Sequence, residues 1–205
     1  MRSIPVSVLV AVLAVFAARG DTAPLATDRY GHMHMKYERT WFKVDVANVD
    51  VWVDEATRDR FRELAAGQRY SEQVAERIAQ SALQAEDVDV QVEFLRRASL
   101  DEFLDAARDN LARARDARYI SQDTFASAWR GVQRDFSSFA QRGFKSGDRL
   151  RYRAHPGSLQ TIVKSGDRVL LDLTSRDVGA RRAMIASYFA PGSDFRKGLI
   201  KDLFR

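Results

Sequence analysis

Three groups of residues have the types and spacings that could do chemistry. His32 and His34 stand two apart, so on a strand their imidazoles would share one face, as a metal site requires. No Asp, Glu or His stands close by to complete a ligand set, so the pair reads as part of a polar terminus and no metal is expected. Phe103 and Asn110 are seven apart, which on a helix brings them within about 20° of each other and places an amide beside an apolar stripe. Such an amide bonds either to backbone as a satisfied edge-of-core residue or to a ligand. Arg96, Arg97, Arg108, Arg113, Arg115 and Arg118 form a basic stripe, but Asp101, Asp105, Asp109 and Asp116 are interleaved with it at helical neighbour spacing. That mixture describes a solvated, ion-paired face, so no nucleic-acid partner is expected. The chain has no Gly-x-Ser-x-Gly elbow and no phosphate-cradling Gly loop, and no cofactor is expected.

Composition narrows the field further. The absence of Cys removes disulfides, thiolate-bound metals and thiol nucleophiles. With 45% hydrophobic and 30% charged residues over 205 positions, the chain suits one globular domain with one sizeable core. Met1-Arg2, an apolar stretch from Ile4 to Ala18 and small residues at Ala17 to Gly20 make the three-part pattern of a secretory signal. The expected destination is export, periplasmic or secreted, with retention as an uncleaved anchor as the alternative. The apolar run is shorter than the roughly 20 residues that cross a bilayer, so no stable membrane span is expected after cleavage. Removing residues 1–20 takes away Arg2 and Arg19 and leaves a net charge of +3 over 185 residues. The basic pI of about 9.7 therefore carries little information about partners.

The elements that must position these residues are legible from periodicity. Residues 21–38 show little pattern and read as a loose lead-in, with the domain proper placed at 36–205 and the lead-in at 21–35. Phe42, Val44 and Val46 alternate with polar residues, the phase slips at Ala47-Asn48, and Val49, Val51 and Val53 resume it. This predicts one bent strand over about 40–53 with a β-bulge. Helices follow near 57–66 and from Ser71, then a strand at Val88 to Phe94. Ser99-Leu100-Asp101-Glu102 is a capping box opening a helix, and a second helix spans about 121–141. Three strands joined by the turns Pro156-Gly157 and Ser165-Gly166-Asp167 come next, and two terminal helices close the chain. The order predicts an α+β fold with an antiparallel sheet and helices layered on one face.

Residues 88–204 resemble bacterial chalcone-isomerase-like proteins in VDVQVEFLRRASLDEFLDAARDNL, KSGDRLRYR, SGDRVLLDLTS and SYFAPGSDFRKGLIKDLF, in that order. TWFKVDVANVDVWV resembles the family's first long core strand. The resemblance implies an open-faced β-sandwich, a curved antiparallel sheet with helices packed against it and a ligand cleft between. In this family, plant enzymes close a flavanone ring using a first-strand Arg with Tyr, Asn and Thr side chains. Fatty-acid-binding relatives hold a carboxylate with an Arg and a Tyr.

Carried onto this sequence, the match puts Phe103 at the Tyr position, Asn110 at the Asn, Asp45 at one Thr and Met184 at another. Arg39 is the nearest Arg to the catalytic one and is out of register. A Phe at 103 lacks the hydroxyl whose bond to a developing oxyanion contributes about 3 kcal/mol. The resemblance thus implies a protein that is not catalytic and binds a small apolar or amphipathic, fatty-acid-like ligand. Arg39, Asp45, Phe103, Asn110 and Met184 are its candidate ligand-binding residues. An intramolecular lyase or isomerase acting through Arg39 and Asn110, and a protein-interaction module with a filled cleft, are the alternatives.

Overall fold

The computed structural model describes residues 25–39 and 44–205, and the side chains of 25–38 and 46–205. The expected leader, residues 1–20, and the start of the expected first strand at 40–43 lie outside the described residues. Six strands follow one another across a single antiparallel sheet in chain order: β1 (His32–Arg39), β2 (Val44–Val53), β3 (Val88–Phe94), β4 (Asp148–His155), β5 (Ser158–Ser165) and β6 (Arg168–Ser175). Helices α1 (Glu55–Ala65) and α2 (Glu72–Leu83) join β2 to β3. Helices α3 (Leu100–Asp116) and α4 (Gln122–Asp135) join β3 to β4, and α5 (Val178–Phe189) and α6 (Arg196–Asp202) end the chain.

The sheet is apolar on one face because its strands alternate. Register aligns Met33, Val51, Val90, Tyr152, Thr161 and Leu173 across all six strands on the helix-facing side. The opposite face carries Asp50, Gln91 and Arg151 in the next row, and stays open to solvent as an antiparallel sheet permits. The expected α+β open-faced sandwich is what forms.

Two local expectations are corrected. The lead-in expected through residue 38 contains β1, an edge strand paired with β2 from His32 onward. Its period was hidden because Met33, Met35 and Tyr37 alternate with His32, His34 and Lys36, a polar set dominated by histidine. The bulge is present on β2, with Val46 as the extra residue, one position before the expected slip. It leaves Val46 and Ala47 both buried.

Helix ends are secured as their sequences dictate. Ser71, Ser99 and Ser121 cap α2, α3 and α4, and the Ser99–Glu102 capping box is complete. Gly143 sits at φ 61°, where a Cβ would lie 2.5 Å from the Ala98 carbonyl oxygen, so only Gly fits this crossing beneath α3.

Two buried carboxylates tie connections to the sheet. Asp54 caps α1 through Thr57 N and also accepts from the amides of Glu86 and Asp87, locking the helix start to the approach to β3. Asp148 accepts two bonds from Arg142, at 2.6 and 2.9 Å, and one from Lys145 N at 2.7 Å. Burial pushes both carboxyl pKa values up, but the hydrogen bonds, with Arg142 foremost for Asp148, outweigh it and hold both below the ordinary 3.8. A depressed carboxylate contributes stability that is complete above its unfolded pKa and lost as the pH falls through its folded one. Urea unfolding should therefore show stability declining as the pH drops from about 5 towards 2. Asp148→Asn should be less stable at neutral pH and show a shallower acid slope.

Candidate functional site

Between the helices and strands β2 to β6 the two layers fail to meet, leaving a cavity of about 350 Å³. That lies in the lower part of the range of about 300–1,000 Å³ typical of small-molecule sites. Its sheet wall is Val92, Phe94, Leu150, Leu159 and Leu173, with Tyr152 and Thr161 set among them. Its roof is formed by α3, α4 and α5 through Ala106, Ala128, Val132, Ala183 and Met184.

Helix α4 keeps the roof off the sheet. Not one of its residues is fully buried, although Phe125, Ala128, Trp129 and Val132 lie towards the core. A Cβ built at Gly131 on this helix meets only the end of the Arg134 side chain, at 4.0 Å, so the space beneath is open. One end of the cavity is closed by an aromatic cluster. Phe103 packs against Phe136 and Phe144 with ring centroids 4.7 and 4.8 Å apart, and Phe94 stacks on Phe144 at 4.4 Å. These contacts pin α3 and the end of α4 to β3 and keep the cavity from collapsing at that end.

Of the residues singled out in the sequence, the structure brings Phe103, Asn110 and Met184 together on the cavity wall. Phe103 contributes an apolar face shared with the aromatic cluster. Asn110 is buried and committed: its Nδ2 donates to Ala106 O at 2.9 Å, and its Oδ1 accepts from Asp194 N at 3.0 Å. It clips α3 to the turn before α6, the backbone-satisfied role left open above. Arg39 and Asp45 lie on β1 and β2 next to the hairpin end, two residues from the lining residues Tyr37 and Ala47. Their side chains are outside the described residues.

Arg96, read above as part of a solvated stripe, is instead on the cavity lining. Its Nε is enclosed with no hydrogen-bond partner among the described residues. The signal was present in the sequence: 88, 90, 92, 94 and 96 share one parity, so Arg96 continues the inward face of β3 just past its last residue. Tyr152, Thr161 and Tyr188 also line the cavity, and sequence reading assigned them no chemistry. Burial pushes the phenols of Tyr152 and Tyr188 well above their ordinary pKa. The Asp135 charge adds to this for Tyr152, and Tyr152 adds to it for Tyr188, so both remain neutral donors.

The histidine pair is also corrected. Asp50, directly across from His34 on β2, meets His32 Nε2 at 2.8 Å and His34 Nδ1 at 2.9 Å on one carboxylate oxygen. His32 stacks on Trp52 with centroids 4.7 Å apart. A partner 16 residues away in sequence came from strand pairing. Among the described residues no group of three or more His, Cys, Asp or Glu has metal-site geometry.

Because Asn110 joins two backbone segments, Asn110→Ala should cost about 1–3 kcal/mol in urea unfolding. Ligand affinity per folded molecule should change by much less.

No protein-family model matches the chain, and no curated protein sequence matches it. Among solved structures, the chain is similar to the crystal structure of a fatty-acid binding protein of Arabidopsis thaliana. The TM-score is 0.58 at 11% sequence identity, covering 90% of this chain and 87% of that one. The likeness shows the fold, the chalcone-isomerase-like α+β sandwich with its curved antiparallel sheet and one helical layer.

Proposed function

We propose that this chain is an exported, non-catalytic carrier of a small amphipathic ligand of the fatty-acid class, held in the cavity between helices and sheet. The observation that carries the reading is the cavity itself: about 350 Å³, walled mainly by apolar side chains, with a guanidinium at its edge. Burying an alkyl chain against such walls contributes about 0.8 kcal/mol per CH₂. The structural neighbour's description as a fatty-acid binding protein agrees with it. Arg96 supplies the charge for a carboxylate head, because its Nε has no protein partner to give up among the described residues. Arg39, at the adjoining end of the β1–β2 hairpin, is a second cation for the same head. Phe103 and Met184 bound the acyl chain.

The filled-cleft reading loses its ground to the open volume. Against the lyase reading, the Asn110 amide already donates to Ala106 O and accepts from Asp194 N. Export rests on residues 1–20, whose charged start and short apolar core suit a cleaved signal. Sequencing the mature amino terminus from the native host should find a start after Ala17 or Gly20.

Two variants test binding. Gly131→Phe places a ring in open cavity space and removes a helix-interior glycine, which by itself favours α4 by about 0.3 kcal/mol. It should keep or raise the thermal midpoint while weakening palmitate binding at least about tenfold in titration calorimetry. Unchanged affinity in this variant would place the ligand elsewhere. Arg96→Met should weaken palmitate by about tenfold or more and leave its methyl ester unaffected.

A further inference from the structure

The cavity has a second polar region that an unsubstituted alkyl chain leaves unused. Thr161 and Tyr188 are 8% and 6% exposed, and Tyr152 stands directly opposite Thr161 on β4. All three line the cavity, and none of their hydroxyls has a hydrogen-bond partner among the described residues. Register puts Tyr152 and Thr161 away from the Arg96 end, whereas Tyr188 on α5 packs on Phe195, which meets Tyr37 level with Ala47 and Phe94. Tyr152 pairs with Val90, and four residues of strand, about 13 Å, separate Val90 from Phe94, with Arg96 two residues further on.

The two regions differ in charge. Arg96 is cationic, whereas the carboxylate whose charge acts on Tyr152, Asp135, is ion-paired with Arg134 at 2.7 Å. An anionic group is therefore favoured beside Arg96, while the hydroxyls themselves bring no charge to hold one. A neutral oxygen can accept from the phenols and the threonine hydroxyl.

We infer that Tyr152, Thr161 and Tyr188 form a subsite for an uncharged oxygen on the ligand. The natural ligand is then an acyl chain with a hydroxyl or oxo group well away from its carboxylate. This inference rests on the proposed acyl-carrier reading and specifies its ligand. The energetic basis is the asymmetry of buried polar groups: a hydroxyl that a bound alkyl chain shuts off from water and leaves unpaired costs about 1–3 kcal/mol. A ligand that satisfies it gains discrimination over one that does not.

The test compares stearate with a mid-chain hydroxystearate of equal length by titration calorimetry on the intact protein. The native chain should bind the hydroxylated acid about tenfold more tightly. Tyr152→Phe combined with Tyr188→Phe removes the phenol hydroxyls at nearly constant volume and should bring the ratio of the two affinities down to about one. Thr161→Val provides an independent variant with the same expected direction, and thermal midpoints check that each is folded. Equal affinity of the native chain for both acids overturns the subsite and leaves the carrier reading standing. Binding of neither acid overturns both. A preference that survives in the folded double-Phe and Thr161→Val variants assigns the selectivity to other residues and overturns the subsite.

Discussion

A six-stranded sheet that is apolar on one side only must cover that side, and the connections of this chain do so. β2 to β3 and β3 to β4 are antiparallel neighbours that a short hairpin could have joined, yet each is linked through a pair of helices. Those helices, with α5 and α6, shield Met33, Val49, Val51, Val90, Leu150 and Val163, all at or below 1% exposure. The driving term is removal of apolar surface from water, which is non-directional. Direction comes from the polar locks: Asp54 fixing α1 against the start of β3, and Asp148 holding the turn into β4 through Arg142. A further ion pair, the buried Arg196 with the partly exposed Glu76, joins α6 to α2, and Tyr119 donates to the same carboxylate at 2.6 Å.

The cavity is the place where this covering is incomplete. Helix α4 is docked along its flanks to α3 and α5, and small residues at 128, 131, 180 and 183 remove the side chains that would otherwise bridge to β4, β5 and β6. Elsewhere the layers meet at full density, with Phe61, Ile78, Phe189 and Leu199 completely enclosed. A void beside such a packed core forfeits dispersion contacts along its whole lining. The aromatic cluster of Phe94, Phe103, Phe136, Phe139 and Phe144 resists collapse at one end. The Asn110 clip holds α3 in place beside it. Phe103 thus serves the aromatic buttress and the cavity wall together.

Most of the fold was legible because local patterns and global packing agree. The capping box at Ser99, the hairpin turns at 156–157 and 166–167 and the valine alternation of β3 each specify one structure. β1 was missed because its outward residues are histidines and a lysine, and because pairing with β2, not its own composition, makes it a strand. Arg96 was misread for a related reason. Its neighbours in sequence are those of a charged helix, while its parity belongs to the strand behind it. Asp50 and the histidines could not be connected without the register of β1 on β2.

The sequence by itself determined the absence of cysteine chemistry, the number and order of most elements, and the inward parity of the strand residues. These are consequences of residue type and period, which act over a few positions. Only the tertiary structure decided that the helix layer stands away from the sheet at α4, and that Arg96 and three hydroxyls line one space. It also decided that Asn110 is spent on the backbone. Those outcomes depend on distances between side chains brought together from remote parts of the chain, and no local period encodes a gap.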